Sequence, residues 1–191
     1  MSVGNVTQAV HFDNAGLTLV LGNNLDLGGD GSRNGTGKTT IINALSFGLF
    51  GNALYNIKKD NLVNKTNNKG MLVTVDFEMN GINYRIERGR KPNIFKFLVN
   101  GAGGDGEITD EMQGEGRESQ RVIERVIGMS HTMFKHIVAL NTYTEPFLSM
   151  RANDQRDMIE QLLGITKLSE KADILKELVK LSKDKVTEET Y

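Results

Sequence analysis

The apolar positions change their period along this chain, and each period predicts a different kind of element. Leu17-Thr-Leu-Val-Leu21 is a short, almost unbroken apolar run ending at Gly22, the pattern of a strand buried on both faces. A polar, glycine-rich stretch follows over residues 23–33. From Lys38 the apolar residues return at helical spacing, as Ile41, Ile42, Leu45 and Leu49, with Gly48 and Gly51 punctuating the end. The predicted order is strand, glycine loop, helix.

Beyond Met71 the period falls to two. Val73, Val75, Phe77 and Met79 alternate, Asn80-Gly81 supplies a tight-turn signal, and Ile82, Tyr84 and Ile86 alternate again, which predicts a β-hairpin. A further strand over 94–99 meets a second turn signal at Asn100-Gly101, and residues 101–106 are too rich in glycine to form the interior of an element. After residue 109 the pattern is helical, with Val122, Ile123, Val126 and Ile127 on one face, Gly128 as a stop and Ser130 as the cap of a short helix through 138. A loop holding Pro146 leads to a helix over 153–163, with Met158, Ile159, Leu162 and Leu163 on one face, ending at Gly164. Leu168, Ala172, Leu175, Val179, Ser182 and Val186 then step by four and three residues, a heptad seam flanked by Lys and Glu. So short a seam is marginal alone, and an amphipathic surface helix is the competing reading.

The length, 191 residues, suits one domain with an extension. With 23 basic against 24 acidic residues the net charge is −1, so any nucleic-acid contact needs a local patch rather than a chain-wide field. The absence of cysteine excludes disulfides and thiolate zinc sites, and three scattered histidines make no metal cluster. The first residues lack the pattern of a signal peptide, and no run approaches the ~18 apolar residues of a membrane helix. The expectation is a soluble, cytoplasmic protein with no membrane partner.

The candidate chemistry lies in Asn34-Gly35-Thr36-Gly37-Lys38-Thr39-Thr40. Glycines at 35 and 37 remove Cβ obstruction and permit left-handed turns, so that successive N–H groups can point at phosphates. The helix beginning near Lys38 adds the positive end of its dipole. In this pattern Lys38 reaches the β- and γ-phosphates of ATP, the Thr39 hydroxyl ligates Mg²⁺, and Thr40 binds an α-phosphate oxygen. The usual first glycine falls at Ser32, so either Ser32 substitutes for it or Gly22, at the strand end, performs the turn.

The rest of an ATPase site is missing from the pattern. A GTPase would need Asn-Lys-x-Asp, and Asn64-Lys65-Thr66-Asn67 lacks the aspartate. The best candidate for a second acidic strand, Leu72-Val-Thr-Val-Asp76, reads as half of the hairpin, so Asp76 is read as a hairpin residue rather than a metal ligand. There is no Leu-Ser-Gly-Gly signature, and Leu45-Ser46-Phe47-Gly48 belongs to the packing of the first helix. Arg85, Arg88, Arg90 and Lys91, with Lys58 and Lys59, read first as a solvated strand edge and second as a phosphate contact to DNA. His131 and His136 read as helix-surface residues.

Taken in order, the motifs Asn34 to Leu45, Phe47-Gly48-Leu49-Phe50-Gly51, Tyr84-Arg85-Ile86-Glu87-Arg88-Gly89, Ile127-Gly128-Met129, Phe134 to Leu140 and Arg156 to Gly164 resemble the N-terminal ATPase lobe of the SbcC family, also called Rad-fifty, and in particular phage recombination-endonuclease large subunits. The resemblance covers nearly the whole chain. It implies an α/β P-loop NTPase, an ABC-ATPase-like N-terminal lobe with antiparallel hairpins, a P-loop helix, a helical subregion and the start of a coiled coil. Residues 1–165 would form the head lobe and 166–191 the coil root.

The resemblance also implies ATP and Mg²⁺, a complementary C-terminal lobe of the same protein, and a second copy of the head engaged through ATP. Its implied partners are an SbcD (Mre-eleven)-type nuclease and double-stranded DNA ends. The family's Q-loop glutamine, which contacts Mg²⁺ and the attacking water, falls at Asn141, shorter by one methylene. The family's first strand, signature motif, second acidic motif and switch histidine are missing, so the chain reads as a fragment, truncated on its C-terminal side with the N-terminal side left open, that binds ATP weakly and hydrolyses it negligibly. Alternatives are an SMC- or RecF-like lobe and a nucleotide-binding module without hydrolysis.

Overall fold

The structure, a computed structural model, describes residues 6–13, 16–23, 35–101, 104–107, 116–140 and 145–189. The chain divides into two compact units, Met1–Thr144 and Glu145–Tyr191.

In the first unit, helix α1 (Lys38–Phe50) is followed by a 3-10 turn (Lys59–Leu62) and an antiparallel meander of four strands in the order β1-β2-β3-β4. These are β1 (Met71–Met79), β2 (Ile82–Arg90), β3 (Ile94–Gly101) and β4 (Gly104–Glu107). The Asn80-Gly81 turn closes the first hairpin with φ of 54° and 77° at its two central residues, the left-handed pair that matches the twist of the strands. It sets the register Met79↔Ile82 through Met71↔Arg90, which places Val73, Val75 and Phe77 on one face with Tyr84, Ile86 and Arg88. Helix α2 (Gly116–Ile127) buries Ile123 against Ile86 and Phe97 on that face. Gly128, at φ 69°, stops α2, and Ser130 accepts the Met133 N–H at the start of α3 (His131–Met133), which continues as a π-helical turn, Phe134–Val138.

Helix α1 can lie on the sheet because residue 48 has no side chain. A Cβ there would stand 2.4 Å from Val75 Cγ2 and 3.2 Å from Val73 Cγ1. On one side of the helix Phe47 packs with Ala53 and Leu62; on another Phe50 packs with Leu54, Phe134 and Ala139. Two buried polar groups tie the helix to the segment at its C-terminal end. Asn43 donates to the Thr39 carbonyl (3.0 Å) and accepts the Leu54 N–H (3.1 Å), while Ser46 donates to the Asn52 carbonyl (2.8 Å).

The second unit holds a 3-10 turn (Phe147–Ser149), α4 (Ala152–Leu162) and α5 (Thr166–Glu189). Gln155 donates to the carbonyls of Phe147 and Met150, and Gly164 at φ 65° ends α4, with the Ile165 N–H reaching the Glu160 carbonyl. Met158 is buried, whereas Ile159, Leu162 and Leu163 are exposed, as are the seam residues Leu168, Leu175, Val179 and Val186.

Two expectations are corrected. Residues 17–21 form no strand, and Leu17 and Leu19 are 102% and 78% exposed. A strand exists only through ladder bonds to a neighbour, and among the described residues none of the four strands pairs with this run. The glycine-rich residues 104–107, expected to be irregular, form the edge strand β4 in register with β3, Leu98↔Glu107 to Gly101↔Gly104. Ladder bonds to β3 define this edge strand, and glycine supplies the N–H and C=O groups for them as any other residue does.

Candidate functional site

The glycine loop runs directly into α1. Gly35 and Gly37 are left-handed, with φ of 75° and 85°, and Gly37 is the residue on which the helix starts. A glycine cap offers no side-chain oxygen to the first turn, and none bonds there. The Thr40 N–H closes back onto the Gly37 carbonyl at 2.9 Å. Lys38 Nζ lies over the loop, donating to Thr36 Oγ1 at 3.3 Å. Thr39 is exposed, and Lys38 and Thr40 are half-buried. The structure therefore brings Gly35, Thr36, Gly37, Lys38, Thr39 and Thr40 together at one helix end, while Asn34, Ser32 and Asn141 lie outside the described residues.

Gly22 is built into the same place. A Cβ on it would fall 1.9 Å from Thr36 Oγ1 and 2.7 Å from Thr36 Cβ, so the backbone at 22 supports the loop by close approach. The donor set fits a polyphosphate: a left-handed glycine turn, a helix N-terminus, an ammonium and two hydroxyls. Among the described residues no group of three His, Asp or Glu side chains is placed to hold a metal ion. The exposed Thr39 hydroxyl at the start of α1 is of the oxygen-donor type that Mg²⁺ accepts.

Of the remaining candidates, Asp76 and His136 lie where the sequence reading put them, while Arg88 and His131 do not. Asp76 is exposed on the outer face of β1 and accepts two bonds from Arg85, at 2.6 and 3.1 Å, so it is an ion-pair residue of the sheet. Arg90 pairs with Asp60 at 2.7 Å and reaches Asn93 at 2.8 Å, and its guanidinium holds the Asp60 carboxyl below the usual range. Partial desolvation, then the charges of Arg88 and Arg90, lower the pKa of the Lys59 ammonium.

Arg88 is a correction, because it turns inward. Its Nε donates to the Gly48 carbonyl at 2.7 Å, another nitrogen donates to Gln120 Oε1, and its guanidinium sits 4.0 Å over the Phe95 ring. Burial pushes its pKa down to about 10, with Glu124 acting in the opposite sense. The signal was present in the parity of β2: residue 88 continues the inward series 82, 84, 86.

His131 is also corrected. Its Nε2 is 3.1 Å from Ser46 Oγ, its ring lies 5.3 Å from that of Phe50, and burial followed by the charge of Lys135 lowers its pKa. His136, by contrast, is not enclosed in this way and bonds the Thr132 carbonyl within its own turn at 2.7 Å.

The family described as AAA domain matches residues 1–190. Exonuclease subunit 2 of Escherichia phage RB69 is 38% identical over 182 residues, covering 94% of this chain and 29% of that protein. Exonuclease subunit 2 of Enterobacteria phage T4 is 36% identical over 181 residues, with the same 94% and 29% coverage. A DNA double-strand break repair Rad50 ATPase of Methanocaldococcus jannaschii is 29% identical over 152 residues, covering 77% of this chain and 14% of that protein. The chain thus spans under a third of the length of the relatives it matches.

Proposed function

The chain belongs to the AAA-domain family, and from that premise we propose that it is the ATP-binding N-terminal lobe of an ATPase subunit that works with a nuclease on double-stranded DNA ends. The observation that carries this reading is the left-handed Gly35 and Gly37 turn delivering Lys38 and Thr39 at the start of α1, with Gly22 seated against Thr36. The match to phage proteins named exonuclease subunit 2 favours end processing over the SMC- or RecF-like alternative.

On this reading the loop would recognise the phosphate charge that ATP supplies when bound, and the Thr39 hydroxyl would help to hold Mg²⁺. Lys38, which donates to Thr36 here, would instead pair with the β- and γ-phosphates, and Thr40 would bind an α-phosphate oxygen. Asn34, with the loop amides, would belong to the phosphate-binding set, and Asn141 would be a further residue to hold Mg²⁺; both lie outside the described residues. The P-loop fold, the head at 1–165 and the coil root at 166–191 belong to the same proposal, as do a complementary C-terminal lobe, ATP-dependent pairing of two heads and an SbcD-type nuclease partner.

Equilibrium binding of a fluorescent ATP analogue, with and without Mg²⁺, tests the reading. Saturable binding that Lys38→Ala weakens at least roughly tenfold is expected, since a charge-assisted contact to phosphate is lost. Steady turnover by this chain alone, abolished in Lys38→Ala, would overturn the half-site part of the proposal.

A further inference from the structure

Helix α1 carries the candidate phosphate grip at one end and is tied down at the other by side chains from two different elements. The last four carbonyls of a helix have no intrahelical partner, and here each is satisfied. The Gly51 N–H takes Phe47 O (2.8 Å), Arg88 of β2 takes Gly48 O (2.7 Å), Gln120 of α2 takes Leu49 O (3.3 Å) and Asn52 takes Phe50 O (3.3 Å). The two in the middle are linked. Arg88 donates to Gln120, and Gln120 donates in turn to Glu124 at 2.9 Å.

A half-buried guanidinium is an expensive way to cap a helix, because desolvation opposes it and a neutral donor would satisfy the same carbonyl. What Arg88 adds is direction. Its planar fork is held by the Gly48 carbonyl, by Gln120 and by the face of Phe95, and Gly51 has no side chain where a Cβ would stand 3.0 Å from Arg88 Nη1. Gly48 itself rests on Val75, so α1 is fixed in height as well as in rotation at this end. A helix of 13 residues behaves as a rod roughly 20 Å long, and a shift at one end is carried to the other.

We propose that Arg88, with Gln120 as its link to α2, is a positioning residue that sets the aim of Lys38 and Thr39 at nucleotide phosphates and relays occupancy of that grip to α2. The proposal rests on reading the loop ending in Thr40 as an ATP phosphate grip. Coupling of this kind is reciprocal: if α2 and β2 set α1 for nucleotide, nucleotide steadies α2.

The test uses the full chain in five forms: wild type, Lys38→Ala, Arg88→Lys, Gln120→Leu and Arg85→Ala, the last from the exposed face of the same strand. Each is measured for ATP-analogue affinity and, with and without ATP, for amide hydrogen exchange over residues 116–127, at a temperature where circular dichroism shows the variant folded. Arg88→Lys keeps a cation at the site but loses the fork, and roughly tenfold weaker binding is expected, the usual scale of a coupling free energy between linked sites. Gln120→Leu should weaken binding in the same direction. ATP should slow exchange in α2 of the wild type and of Arg85→Ala, and not in Arg88→Lys or Gln120→Leu.

A folded Arg88→Lys that binds ATP within about twofold of wild type overturns the proposal. So does an α2 whose exchange ignores ATP in the wild type. Should Arg88→Lys not fold, Gln120→Leu decides by the same criteria. A wild type that binds no ATP, or a Lys38→Ala that binds equally well, overturns the grip reading and this proposal with it. A grip that needs Lys38 and ignores Arg88 and Gln120 overturns the proposal alone.

Discussion

Gly22 and Thr36 approach so closely that a single carbon added to Gly22 would lie 1.9 Å from Thr36 Oγ1. Thr36 is β-branched and stiff at χ1, and its own Cβ would be only 2.7 Å away, so rotating the hydroxyl does not relieve the clash. Gly22→Ala should therefore push the loop off its geometry and weaken ATP-analogue binding roughly tenfold or more, with little loss of global stability, because Gly22 belongs to none of the hydrophobic core clusters. Ser32→Ala should bind like wild type if Gly22 is the glycine the loop depends on. Thr36→Gly placed in the Gly22→Ala background should recover part of the affinity. The measurement is a binding isotherm for each variant, and a Gly22→Ala chain with wild-type affinity would show that the close approach has no bearing on phosphate recognition.

Gly48 presents the opposite balance between local propensity and packing. In an exposed helix interior, Gly→Ala stabilises by about 1 kcal/mol. Here the added Cβ would meet Val75 Cγ2 at 2.4 Å, and overpacking of this sort costs about 1–3 kcal/mol. We expect Gly48→Ala to be destabilising by about 1 kcal/mol net, and a melting temperature a few degrees lower. In a Val75→Ala background the same substitution should be neutral or stabilising. An additive double-mutant cycle would place the strain somewhere other than this contact.

The hairpin is legible in sequence because its information is local: alternation at 73, 75, 77 and at 82, 84, 86, with a turn pair that accepts positive φ at 80 and 81. The start of α1 is legible for the same reason, since Gly37 and Lys38 carry both the loop and the helix onset. The run at 17–21 misleads because apolar character records only what a segment can bury; whether it becomes a strand depends on a neighbour to bond with. Arg88 misleads through its charge, which outweighs the parity that puts it inside. His131 cannot be placed from sequence at all, since its burial arises from contact with Ser46, 85 residues earlier, and only the packing of α3 on α1 reveals it.

That contact makes stability depend on pH. Ser46 spends its one hydroxyl proton on the Asn52 carbonyl at 2.8 Å, so at the 3.1 Å contact with His131 the ring nitrogen Nε2 must be the donor. The neutral ring then has its proton on Nε2, and a second proton would enter at Nδ1. Acid does not break the bond to Ser46; it charges a partly desolvated ring packed against Phe50, with Lys135 as the neighbouring like charge. The folded-state pKa is therefore below the ordinary 6.5. Between that depressed value and 6.5 the unfolded chain binds more protons than the folded one, so stability rises with pH through this window. The contribution is fully present above pH 6.5, falls as pH drops below it, and levels off once the folded ring is protonated too. Melting temperatures across the range from about pH 7.5 to 5 should fall more steeply for wild type than for His131→Gln, which keeps a donor for Ser46 but does not titrate. Parallel curves for the two would show that the decline belongs to other groups and that His131 does not sense pH in the folded chain.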